Sequence, residues 1–206
     1  MNFNDVFIRD IQEYNKVNTL IHTLFEPQGG GLPSQVFSNK FTCYRFLEFD
    51  EAMSHDFWPF IQELGSKSND PFIINAVLRP DPFEYFYKEF NYFNYTKLPI
   101  NISEDDYVSI LEKGPEGYEA DAMLYNSFTV VWASPSMEWA IWGEREFGIC
   151  IVAINDTAAS LKSMLAIDKF KTIEDAAVMD WISLNFRNFE VPKNIANVLK
   201  NNYSNN

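Results

Sequence analysis

The chain has 206 residues, of which 47% are hydrophobic and 17% aromatic, with Phe alone contributing 19, so it can bury one large ring-rich core and is not an intrinsically disordered chain. Lys and Arg number 16 against 29 Asp and Glu, a formal charge of −13. A field of that sign repels phosphate backbones and anionic lipid, which argues against nucleic acid or a membrane as partner and favours a basic protein.

The elements expected along the chain begin with an amphipathic helix over about 4–25. There Phe7, Ile11, Tyr14, Val17, Ile21 and Leu24 recur at steps of three and four residues. A Gly-rich connector follows at 28–33, since Gly29, Gly30, Gly31 and Pro33 do not continue a helix. Phe41 to Phe49 reads as a strand, Ser54 to Leu64 as a helix stopping at Gly65, and Phe72 to Leu78 as a buried strand ending before Pro80. The block Phe83 to Tyr95 holds eight aromatic residues in thirteen. Its spacing supports a helix in the first half and leaves the second half open between helix and strand.

Ser103 followed by Glu104, Asp105 and Asp106 marks a helix N-terminus, with Gly114-Pro115 as the stop. Phe128 to Ala133, Glu138 to Trp142 and Phe147 to Ile154 read as an antiparallel meander. Asp156 is placed to cap a helix over 157–167, Thr172 another over 173–186, and Pro192 to open a last one, with a frayed tail at 201–206. This order of elements predicts a single α+β domain spanning 1–206, a mostly antiparallel sheet with helices packed on one face.

The chemistry-bearing residues are sparse. His22 and His55 match no paired-ligand spacing, and no cofactor is expected. Cys150 lies inside the apolar run Ile149 to Val152, where burial silences a thiol, and Cys43 has no activating neighbour in sequence. Ser134-Pro135-Ser136 lacks the flanking glycines of a nucleophile turn, and Gly29 to Gly31 lacks the Lys-Ser or Lys-Thr of a phosphate loop. Two unpaired-looking cysteines, no apolar leader with a cleavage site and no apolar run near the ~20 residues of a membrane helix point to the cytoplasm.

Acidic residues at helix starts are explained by the helix dipole. Those left over are Asp50, Glu51 and Asp56, then Glu112, Glu116, Glu119 and Asp121, then Glu138, Glu144 and Glu146. They are the candidate surface for a cationic partner, with rings at Tyr85, Tyr92, Tyr95, Trp139 and Trp142 as candidate anchors. Trp139 and Trp142, three apart on a strand, fall on opposite faces, which predicts one buried and one exposed.

The stretch SPSMEWAIWGEREFGICIVAI, Ser134 to Ile154, resembles a terminal hairpin of several bacterial proteins. A small acidic α+β chain without catalytic motifs also resembles the immunity proteins that neutralise bacterial toxins, many of them basic nucleases. That resemblance implies an acidic, non-enzymatic inhibitor of a toxin domain. The alternatives are a hydrolase that binds a divalent metal through carboxylates alone, which needs no histidine, and a self-associating structural subunit.

Overall fold

The computed structural model describes residues 6–26 and 30–204. Its centre is one six-stranded antiparallel sheet in the order β1-β6-β5-β4-β2-β3. The strands are β1 Phe41–Glu48, β2 Phe72–Arg79, β3 Tyr95–Pro99, β4 Thr129–Ala133, β5 Trp139–Glu144 and β6 Ile149–Asn155. With its helices this sheet makes an α+β fold. The helices are α1 Ile11–Leu24, α2 Phe49–Ala52, α3 Trp58–Lys67, α4 Lys88–Phe90, α5 Glu104–Leu111, α6 Ala159–Lys162, α7 Ala176–Ser183 and α8 Lys193–Tyr203. None of the described helices is long and apolar enough to cross a membrane.

The meander β4-β5-β6 forms as its alternating and apolar runs dictate, with Gly148 in the left-handed region (φ 67°) closing the second turn. Both faces of the sheet are covered, where the sequence reading puts helices on one. Val130, Trp132, Trp139, Ile141, Cys150, Val152 and Ile154 face a core shared with α2, α3, α5 and α6. Val131, Ala133, Ala140, Trp142, Ile149, Ile151 and Ala153 face a second core shared with α1, α7 and α8. The physical reason is written in β6, whose residues are apolar on both faces and would leave one of them wet without the second helical layer.

Several boundaries differ from expectation, each for a physical reason. α1 starts after Asp10, whose carboxylate accepts from the Gln12 and Glu13 amides at 3.0 and 2.8 Å. Phe7 fits the helical stripe but is extended, because residues 6–8 pair with the free side of β3 through Ile8 N–H to Tyr95 O, Phe93 N–H to Ile8 O and Lys97 N–H to Val6 O. Residues 4 and 5 and connector residues 28 and 29 lie outside the described chain. α3 runs past Gly65 to Lys67, since that glycine serves close packing: a Cβ there would sit 2.5 Å from Ile100 Cδ1. The aromatic block opens as a π-helical turn at Pro82–Tyr87, continues into α4 and ends at left-handed Asn91, after which Tyr95 enters β3.

Ser103 caps α5 with Asp106 completing a reciprocal capping box. Asp175, not Thr172, caps α7, and α6 has no side-chain cap because it starts at Ala159, which puts Ala158 at the cap position, while Asp156 bonds Thr42 and Lys162. The C-terminal stretch is docked through Tyr203. Its buried ring meets Phe37, Tyr44 and Phe46 edge-on, and its hydroxyl accepts from the Val36 amide at 3.0 Å. Residues 205–206 lie outside the description.

Asp70 ties the α3–β2 turn to the β4–β5 hairpin. Although buried, its carboxylate accepts from Ser68 Oγ at 2.6 Å, Ser134 Oγ at 2.6 Å, Ser136 Oγ at 3.1 Å and the Ser136 amide at 2.8 Å. Trp139 Nε1 donates to Ser68 Oγ at 3.2 Å from the strand side. Buried donors are thereby satisfied, as a dry interior demands.

Candidate partner-binding surface

The carboxylates left over by the helix caps disperse into separate places. Asp50, at the first turn of α2, lines a small hollow with Arg145, whose guanidinium sits over the Phe49 ring and donates to Ser127 O and Leu124 O. Glu51 pairs with Lys169 at 3.0 Å. Asp56 lies 3.5 Å from His55, which Glu104 and Asp105 also approach, at 3.0 and 3.3 Å. Glu138 stands at one end of β5, and Glu144 and Glu146 at the other end or just beyond, so this sequence cluster is a strand length apart, about 20 Å.

Glu144 is buried, in contrast to a role on a partner surface. It accepts from Arg79 at 2.9 Å, Thr129 Oγ1 at 3.1 Å and Trp142 Nε1 at 3.1 Å, while Glu146 holds the same Arg79 from the solvent side. Burial pushes the Glu144 carboxyl above the usual glutamate range, with Arg79, Trp142 and Thr129 opposing and Glu146 reinforcing. Because the folded-state value exceeds the unfolded one, the stability linked to Glu144 is fully present below the ordinary value of 4.5 and is lost as pH rises through the folded value. Glu144→Gln is expected to flatten that decline. Denaturant unfolding of both proteins from about pH 4 to about pH 8 measures it, and parallel pH profiles would contradict the assignment.

The predicted ring anchors Tyr92, Tyr95, Trp139 and Trp142 are also buried, at 6%, 1%, 0% and 2% exposure. The two tryptophans do lie on opposite faces, Trp139 in one core and Trp142 in the other, but neither is exposed because each face has its own helices.

Convergence occurs around the loop that follows α5. Glu112, Glu116 and Glu119 line a cleft of about 650 Å³ together with Arg9, Lys113, Phe90 and Tyr92. Beside it, Asp121 accepts from Tyr85 Oη at 2.7 Å and Asn126 Nδ2 at 2.6 Å, which pushes the Tyr85 phenol up. Tyr85, Tyr118 and Tyr125 are 41%, 55% and 57% exposed. A file of rings runs from Tyr85 through Phe90 to Tyr118, with centroid steps of 6.3 and 5.3 Å. The π-helical turn and α4 add Glu89 and Glu84, the latter paired with Lys88. Tyr118 and Tyr125 were accessible to sequence reasoning, because they sit in the Gly-, Pro- and Glu-rich stretch Gly114 to Asn126, where loops run over the surface.

The remaining chemistry is structural. Ser134 and Ser136 spend their hydroxyls on Asp70 and each other. Cys150 is buried, and burial pushes its thiol well up, out of reach of a nucleophile's working range. Among the described residues no group of three or more His, Cys, Asp or Glu is arranged to hold a metal ion. Comparison of the chain with protein-family models, with curated proteins and with solved structures finds no match.

Proposed function

We propose that this chain is a binding protein that neutralises a basic protein partner in the cytoplasm, with a bacterial toxin domain as the class of partner. The observation that carries this reading is the file of exposed Tyr85, half-buried Phe90 and exposed Tyr118 set among Glu89, Glu116, Glu119 and Asp121. Exposed tyrosines supply rigid contact area with a polar tip, and surrounding carboxylates steer a cationic surface toward them. The buried Trp139, Trp142 and Tyr95 take no part in this surface; their work is in the core.

The test begins with affinity capture from the source cells, followed by binding kinetics and activity assays with the purified basic protein so recovered. Tyr118→Ala is expected to weaken binding at least tenfold, mainly through faster dissociation, as truncation of an interface anchor does. Glu116→Gln with Glu119→Gln is expected to slow association and to flatten its dependence on salt. Capture of no basic protein, or affinities indifferent to all three substitutions, would overturn the reading.

A further inference from the structure

The cleft beside the exposed rings carries charges of both signs that do not meet. Glu112, Glu116 and Glu119 line it with Arg9 and Lys113, yet none of the five has an ion-pair partner among the described residues. Elsewhere on this surface opposite charges do close, as in Glu84–Lys88, Glu51–Lys169 and Glu63–Lys67. Here Arg9 comes from the N-terminal arm, while the carboxylates and Lys113 come from the loop after α5.

A second, independent sign lies in the cleft wall. Tyr92 lines it and is 6% exposed, its ring packed edge-on against Phe7 at 5.4 Å, and its hydroxyl has no hydrogen-bond partner. Burial pushes this phenol up and Asp121 adds to the push, while Arg9 opposes it. An unpaired buried hydroxyl destabilises the free protein unless a ligand group completes it. The volume of about 650 Å³ falls within the range of small-ligand sites, and the half-buried Phe90 gives the wall an aromatic side.

We propose that this cleft binds a basic amino acid whose carboxylate is free, either as the amino acid itself or as the C-terminal arginine of a peptide. The side-chain cation goes to Glu116 and Glu119 beside Phe90, the carboxylate to Arg9 and Lys113, and a polar group of the ligand to Tyr92 Oη. The excess of carboxylates over cations in the wall selects a ligand with net positive charge, and the two cations select one that also carries a carboxylate. This inference does not depend on the protein-partner reading and survives its failure.

The test is calorimetric or NMR titration of the full chain at low salt with L-arginine, agmatine, Gly-Gly-Arg and its C-terminal amide. Saturable binding of L-arginine or Gly-Gly-Arg is expected, with agmatine and the amide at least tenfold weaker because the carboxylate contacts are lost. Tight binding of the amino acid identifies the free metabolite as ligand, and binding of the tripeptide alone identifies a peptide end. Glu116→Gln with Glu119→Gln should weaken binding at least tenfold. Tyr92→Phe should weaken it several-fold while leaving the unfolding temperature equal to or above that of the parent, a pairing that a purely structural hydroxyl would not give. Absence of saturation for every probe up to about 10 mM, equal binding of arginine and agmatine, or unchanged binding by Tyr92→Phe would each overturn the proposal.

Discussion

Asp70→Ala is expected to lower the unfolding free energy by about 3–4 kcal/mol, because the buried hydroxyls of Ser68 and Ser134 and the part-buried donors of Ser136 lose one acceptor at a stroke. The hydroxyls of Ser68, Ser134 and Ser136 and the Ser136 amide all converge on this carboxylate. Part of the loss is recovered locally, since Ser68 Oγ can bond Leu64 O at 2.8 Å and Ser134 and Ser136 lie 2.6 Å apart, which is why the sum of separate bonds is not reached. In a chain of this size the loss corresponds to a fall of about 10 °C in Tm. Asp70→Asn keeps a carbonyl oxygen in place and should lose about half as much. Urea unfolding measures both, and an Asp70→Ala protein within about 1 kcal/mol of the parent would show that the hairpin is held by packing alone.

The second large effect concerns Trp139. As a fully buried ring in the core under α3 and α6, its replacement by alanine is expected to remove about 3–5 kcal/mol, through lost transfer energy and the cavity left behind. Had it stood on a partner surface, the same change would stay within about 0.5 kcal/mol, so the measurement separates the two placements. Trp139 and Asp70 also share Ser68, which accepts from Trp139 Nε1 and donates to Asp70. The double variant should therefore lose less than the sum of the singles, a coupling that a double-mutant cycle in urea reads directly.

The parts of the fold that follow from local chemistry were legible in the sequence. Ser103 with Asp106 announces α5, and the strands of the β4-β5-β6 meander announce themselves by ring-rich and branched runs between turn residues. What escaped was long-range. Phe7 has the spacing of a helical residue, but its partner Thr96 is about ninety positions away, and no local pattern reports such a pairing. The same holds for Thr42, which bonds Asp156, the residue expected to cap α6. The two-sided cover was in view in Ile149 to Ile154, a run with no polar face, although the pairing of strands had to be known before its meaning was fixed.

For the candidate surface, the sequence named a loop whose carboxylates gather, and rings of which all but Tyr85 are taken by the core. Glu112, Glu116, Glu119 and Asp121 do gather, since all four lie within ten residues of one another on the connection between α5 and β4. Tryptophan and tyrosine inside strands are taken by the core first, because burying a large ring contributes more than leaving it in water. The rings that remain outside, Tyr118 and Tyr125, lie in a stretch too rich in Gly, Pro and Glu to be drawn in.

The arm at residues 6–8 and the bridge between Phe46 and Lys171 have a bearing on how the molecule meets others. The sheet offers its backbone at two rims, β3 and β1, and each is already occupied, the first along several residues and the second at its middle. A stranger's strand finds β3 taken along residues 6–8 and β1 interrupted at Phe46, which shortens both rims as templates for amyloid-like stacking. Recognition of another protein is thereby shifted toward side-chain surfaces, where shape and charge discriminate between partners and a bare backbone cannot.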